Sequence, residues 1–155
     1  MLLTKVFSEE QFERALDSWK WIGLDEKKPV LASLFGDVFF ASRDGWWFLD
    51  LIEASLTHRW ADRDALQQEL DTKDGQDRYL LGGLAMSADA RGLTLEPNEV
   101  YSFAIPPILG GQTTIENVQT MDFDVALTVT GQIHHQVRDL PPGTPISGFR
   151  LEPET

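Results

Sequence analysis

The sequence predicts an α+β fold: a central, mostly antiparallel sheet packed with about four helices in one domain spanning residues 1–155. Residues 30–60 are rich in aromatic and branched side chains and are broken by short turns, as an antiparallel meander requires. Amphipathic stretches with helix-start signals lie on both sides of that run. No repeat, low-complexity tract or linker divides the 155 residues, a length at which one core buries about two-thirds of the unfolded chain's surface.

In chain order, Ser8 with Gln11 three residues later forms a capping-box pattern, so a helix starts there. Phe12, Ala15, Leu16 and Trp19 give it one apolar stripe, Gly23 ends it, and the charged run Asp25–Lys28 reads as a loop closing an N-terminal segment 1–28. Val38–Phe40 then lead into Arg43-Asp44-Gly45, a hairpin turn suited to positive φ. Trp46–Leu51 returns with apolar residues on both faces, which predicts a strand covered on both sides at the sheet centre. Glu53-Ala54 turns the chain into a further strand, Leu56–Trp60.

Two helices are predicted next, Asp62–Leu70 with Asp62 as cap and about Gln76–Ala90, separated by a polar turn over Thr72–Gly75. Gly82 and Gly83 weaken the second by roughly 1 kcal/mol each relative to alanine, so close packing has to compensate if it is continuous. Gly92 supplies a stop, Leu95–Ala104 and Thr114–Met121 read as paired strands around the Gly110-Gly111 turn, and Val125–Leu140 reads as a helix. That last assignment rests on Val125, Val129, Ile133 and Val137 recurring every four residues, with Asp122 or Asp124 as the cap. The end, 146–155, is expected to be a loosely held tail.

Composition narrows the function. The absence of cysteine removes disulfides, thiolate nucleophiles and sulfur-ligated zinc. With 25 acidic against 13 basic residues the formal net charge is −12, which disfavours direct nucleic-acid binding; such a charge would attract a basic macromolecular partner, and it is also what solubility alone selects in many acidic proteins. No stretch has the roughly 20 apolar residues of a membrane span, and the N-terminus lacks a secretory apolar core, so a cytoplasmic protein is expected.

Catalytic signatures are absent from the spacing. No Gly-x-Ser-x-Gly elbow, phosphate loop or dinucleotide fingerprint occurs, and the adjacent His134 and His135 project about 100° apart on a helix, which suits a solvated edge better than a shared metal. No catalytic residue, cofactor or metal is therefore assigned. Five tryptophans are many for this length; Trp19 and Trp47 fit the core, whereas Trp46 and Trp60 are candidates for an edge position that anchors a partner. Together with Asp44, Asp50 and Glu53 they make the hairpin region the candidate partner-binding site.

The densest pattern is 101–144: Tyr101-Ser102-Phe103, then Pro106-Pro107-Ile108-Leu109-Gly110-Gly111, Glu116-Asn117-Val118, and Gly131-Gln132 through Asp139-Leu140-Pro141-Pro142-Gly143. With Gly36-Asp37 and its aromatic strand, this order resembles the C-terminal domain of bacterial type VI secretion DNase-immunity proteins. The resemblance implies a protein that binds a cognate toxin, a nuclease with a basic groove, and neutralises it by blocking substrate access without chemistry of its own. Two other readings stay open: an enzyme or small-ligand binder with a pocket near Gly110-Gly111, and an oligomeric scaffold.

Overall fold

The computed structural model describes residues 1–141; the predicted tail and the Pro142-Gly143 break lie outside the described residues. Five strands make an antiparallel sheet in the order β1 (Thr4–Lys5), β2 (Lys28–Ser33), β3 (Val38–Ser42), β4 (Gly45–Asp50), β5 (Ser55–Trp60). Between β1 and β2 lie α1 (Glu9–Leu16) and a 3-10 turn over Asp17–Ile22. After β5 come α2 (Arg63–Leu70), α3 (Lys73–Leu80) and α4 (Gly82–Ala90), then a separate hairpin of β6 (Glu99–Phe103) and β7 (Val118–Asp122), and finally α5 (Phe123–Val137). The fold is α+β, as predicted.

Alternation along the strands decides what each face carries. In the β3–β4 register Val38 faces Leu49, Phe40 faces Trp47 and Phe39 faces Phe48. Val38, Phe40 and Leu49 join Phe12, Trp19, Phe123 and Leu127 on the face covered by α1 and α5. Phe39, Phe48, Trp46 and Trp60 join Leu66 and Tyr79 on the face covered by α2 and α3. The Trp46–Leu51 stretch is thus covered on both sides, as expected, but β3 and not β4 is the middle strand, because β2 at the start of the meander and β1 before it add two strands on the β3 side. Pro29, which has no N–H to give the ladder, pairs with Phe40 next to a register irregularity between Pro29 and Leu31.

Ser8 caps α1 as a full capping box: its Oγ accepts from Gln11 N at 3.1 Å and Gln11 Oε1 accepts from Ser8 N at 2.9 Å. The predicted helix tightens to a 3-10 turn after Leu16 and stops at Gly23. The tightening brings Trp19, fully buried, against α5, where its Nε1 donates to the Leu127 carbonyl at 2.9 Å. Gly131 makes that approach possible. A Cβ there would meet Ser18 Oγ, the Ser18 carbonyl at 2.8 Å and Trp19 Cδ1 at 2.9 Å.

Three expectations are corrected. Residues 62–90 form three helices instead of two, so the described residues hold five α-helices. Thr72, placed in a turn by the sequence reading, caps α3 by accepting from Gly75 N at 2.9 Å, and the chain breaks at Leu81, whose φ of 50° is left-handed. The weak Gly82-Gly83 pair thus starts a helix and does not interrupt one; Asp77 Oδ1 accepts from Gly83 N at 3.2 Å. The predicted strands shorten to 99–103 and 118–122, since Ile115–Asn117 forms a 3-10 turn. In α5 the helix and its Asp122 cap are as predicted, but the buried face is Phe123, Ala126, Leu127, Gly131, Ile133 and His134, while Val125 is 49% exposed. A strict four-residue step drifts around a 3.6-residue helix, so the valine row marks the neighbouring flank.

Candidate functional site

The hairpin set divides between the two ends of β4. Asp44, exposed in the β3–β4 turn, lies at one end, where Gly45 runs against the carbonyls of Trp60 and Ala61. Asp50 and Glu53 lie at the other end, separated from Asp44 by a strand of six residues, roughly 20 Å. Trp46 and Trp60 are 9% and 5% exposed, packed with Phe48, Tyr79 and Leu66, so their indoles belong to the core and not to an edge. Two sequence-predicted anchors are thereby withdrawn from the surface, and the carboxylates remain on it.

Around Asp44 the structure gathers Ser42, Asp44 and His58, a set that spacing did not reveal. The Ser42 hydroxyl and Trp47 Nε1, the latter at 2.9 Å, both donate to Asp44 Oδ1, and His58 Nε2 donates to the Asp44 backbone carbonyl at 2.6 Å. Hydrogen bonds to its carboxylate, first from Ser42 and then from Trp47, hold Asp44 below the usual carboxylate pKa. The Ser42 hydroxyl donates to the Asp44 carboxylate, a weak base that also accepts from Trp47, and no histidine reaches that hydroxyl, so the contacts fit turn architecture and not an activated nucleophile. Among the described residues no three His, Asp or Glu side chains converge on a metal position, and no helix is long and apolar enough to cross a membrane.

The chain that leaves β5 beside this turn is acidic. From Asp62 to Asp77 there are six acidic and two basic residues, and Asp62, Asp64, Asp71, Asp74 and Asp77 are exposed on α2, α3 and their caps. Lys73 pairs with Asp77 at 2.9 Å, and Asp62 Oδ1 caps α2 by accepting from Ala65 N at 2.8 Å. Asp64, Asp71 and Asp74 make no described salt bridge.

A second feature lies at the opposite end, where the β6–β7 hairpin, α5 and the ends of β2 and β4 enclose a cavity of about 280 Å³. Its walls bring together blocks far apart in sequence: Asp37, Leu51, Phe103, Pro106, Ile108 and His134 among them. The Pro-Pro loop is held by Asn117, whose Oδ1 accepts from Ile105 N at 2.9 Å and whose Nδ2 donates to the carbonyls of Ile105 and Gln112 at 2.8 and 2.9 Å. Gly111 passes so close to the Ile105 carbonyl that a Cβ would collide with it. Asn117→Ala should therefore loosen the loop; the three bonds are exposed and water can replace them, so the cost is about 0.5–1.5 kcal/mol, read as a lowered urea midpoint with an unchanged m value.

Asp37 is the buried polar centre of this end. It is 6% exposed; Oδ1 accepts from Leu51 N at 2.8 Å and Oδ2 from Ser33 Oγ at 3.0 Å, which ties the β2–β3 turn to the end of β4. Burial, reinforced by nearby Asp50, outweighs these bonds and raises its pKa to about 7. His134, expected on a solvated edge, is instead 5% exposed and donates Nε2–H to the Leu51 carbonyl at 2.8 Å, with burial lowering its pKa. Its neighbour's solvated pattern hid it: the mis-phased valine row placed the buried face one step away.

A carboxyl whose folded pKa lies above its unfolded value stabilises the fold below the unfolded pKa and loses that contribution as pH rises through the folded one. For Asp37 the window runs from about pH 4 to about pH 7, and between pH 5 and pH 8 this group alone should remove about 2–3 kcal/mol. His134 acts oppositely, its contribution being lost as pH falls below its unfolded pKa. Asp37→Asn should accordingly compare more favourably with the unaltered protein at pH 8 than at pH 5, measured by urea unfolding at both.

The hairpin, loop, α2–α4 and most of α5 belong to one continuous stretch of sequence that matches a known family. Residues 61–134 match the family model described as T6SS immunity protein Tdi1, C-terminal. This bears out the resemblance to type VI secretion immunity proteins over that stretch. Most cavity-lining residues fall inside it, whereas Asp37 and Leu51 reach the cavity from the sheet. Across the matched residues there are twelve acidic and four basic side chains. The chain also resembles the crystal structure of Atu4351 from Agrobacterium tumefaciens, with a TM-score of 0.53 and 18% identity over 99% of this chain and 78% of that one, which shows a shared fold. No curated protein sequence matches the chain.

Proposed function

We propose that this protein is a type VI immunity protein that binds a cognate antibacterial effector, a nuclease, and blocks access to its active site with an anionic surface. The observation carrying this reading is the coincidence of the Tdi1 C-terminal family match with a net charge of −12, of which the matched stretch includes an exposed acidic run over α2 and α3. A nuclease groove that attracts phosphates is basic, so a surface bearing Asp64, Asp71 and Asp74, extended by Asp44, competes for the same field. The protein works by association in the cytoplasm, where an incoming effector meets its target, and performs no bond chemistry. Asp50 and Glu53 form a separate acidic group at the far end of β4, next to the cavity.

Co-expression with the effector encoded beside it tests the reading. Restored growth and a co-purifying complex are expected; persistent toxicity with no complex would refute it.

A further inference from the structure

The cavity at the end of the sheet has features that the anionic helical face does not use. Its volume, about 280 Å³, is just below the roughly 300–1,000 Å³ of pockets that hold drug-sized ligands. One side chain or a small fragment fits that space. The walls are mainly apolar, with Phe35, Leu51, Phe103 and Met121 among them. Asp37 enters this wall with one donor on each oxygen, and a carboxylate offers about four acceptor sites, so two positions remain.

No described cation pairs with Asp37. The titratable groups around it are His134 and Tyr101 in the cavity wall, Asp50 at the end of β4 and Glu53 in the following turn. Burial holds His134 neutral, and the Tyr101 hydroxyl donates to the Leu93 carbonyl at 2.7 Å. The local field is therefore negative without a counter-charge. At the mouth, Ile108 is 44% exposed and the adjoining Ile105 is 56% exposed. An apolar rim around an acidic floor suits a protein surface carrying an amphipathic cation, whose methylenes lie on the walls while its head reaches the carboxyl group.

We propose that this cavity receives a lysine or arginine side chain of the bound effector, its stem along the apolar walls and its cationic head at Asp37. The partner assignment rests on the functional reading above, while the chemistry of the cavity stands on its own geometry. Seating the head beside Asp37 replaces a lone buried carboxyl with a hydrogen-bonded ion pair, so binding strengthens as Asp37 ionises.

The test titrates the full chain with n-butylammonium, n-butanol and butyrate, three probes of equal stem length, following backbone amide NMR shifts of Leu51, Ser102 and Thr130. Butylammonium should bind at least tenfold more tightly than butanol, and more tightly at pH 8 than at pH 6; butyrate should not bind. Asp37→Asn should reduce butylammonium to the butanol level, and Val129→Phe, which fills the cavity from α5 and leaves Asp37 intact, should abolish both. Equal binding of butanol and butylammonium, an unchanged Asp37→Asn variant, or no shift with any probe would overturn the proposal.

Effector affinity measured on the same variants decides the occupant. At least tenfold weakening by both substitutions supports an effector side chain; full affinity despite lost probe binding overturns that assignment in favour of a small amine. Failure of the unaltered protein to bind the effector would instead overturn the immunity reading, a result distinguishable from loss of probe binding.

Discussion

Trp19→Ala should lower the stability of the protein by about 3–5 kcal/mol, the range for removing a large buried aromatic side chain from a core. Trp19 is fully buried between the sheet and α5, stacks on Trp21 at 5.6 Å and lies 5.7 Å from the His134 ring. The loss has two sources. One is the cavity left among Leu49, Phe123 and Leu127; the other is the Nε1–H donated to the Leu127 carbonyl. Domains of this size are typically stable by about 5–15 kcal/mol, so the variant should approach the edge of folding at 37 °C. Thermal unfolding should show a fall of about 6–20 °C, from roughly 2–4 °C per kcal/mol in a chain of this length. A change of only 1 or 2 °C would mean that α1 and α5 are not packed through this residue.

Replacing Asp64, Asp71 and Asp74 together by Asn should slow association with the effector by about tenfold or more at low salt, within the range by which electrostatic steering accelerates encounters. All three are exposed, and Asp62 and Asp77, which cap α2 and pair with Lys73, are left in place. Stability should therefore stay within about 1 kcal/mol, since Asp64 and Asp74 interact only modestly with the dipoles of the helices they start and Asp71, at the C-cap of α2, keeps an acceptor for Gln67 Nε2 as Asn. The difference between variant and unaltered protein should shrink at 0.5 M salt, where the screening length falls to about 4 Å. Stopped-flow mixing at two ionic strengths reads both numbers. An unchanged rate at low salt would move the interface off α2 and α3.

What could be read from the residues divides along a physical line. Local signals with a short-range cause survived: the Ser8 capping box, the Arg43-Asp44-Gly45 hairpin and the Asp122 cap of α5 each depend on atoms within four residues. Signals that required phase or tertiary partners did not. The valine spacing in α5 selected its flank and so left His134 on the surface; the left-handed Leu81 has no compositional marker and split a helix that was predicted whole. Trp46 and Trp60 could be assigned to strands but not to a face, since the helices that cover them, α2 and α3, are not their sequence-local partners in strand pairing. The cavity was least legible, because its walls come from the β2–β3 turn, the end of β4, the hairpin and α5, joined only by folding. The motif blocks nevertheless pointed there. Gly36-Asp37, Tyr101-Ser102-Phe103 and the Pro-Pro loop, which carried the resemblance to the immunity family, contribute Asp37, Phe103 and Pro106 to one wall system.

DNA cleavage by the purified neighbouring effector, followed while this protein is added in increasing amounts, tests neutralisation by association most directly. Inhibition complete near one molecule per effector, formed more slowly as salt is raised, is the predicted outcome. Undiminished cleavage in the presence of excess protein, with the protein folded, would contradict it.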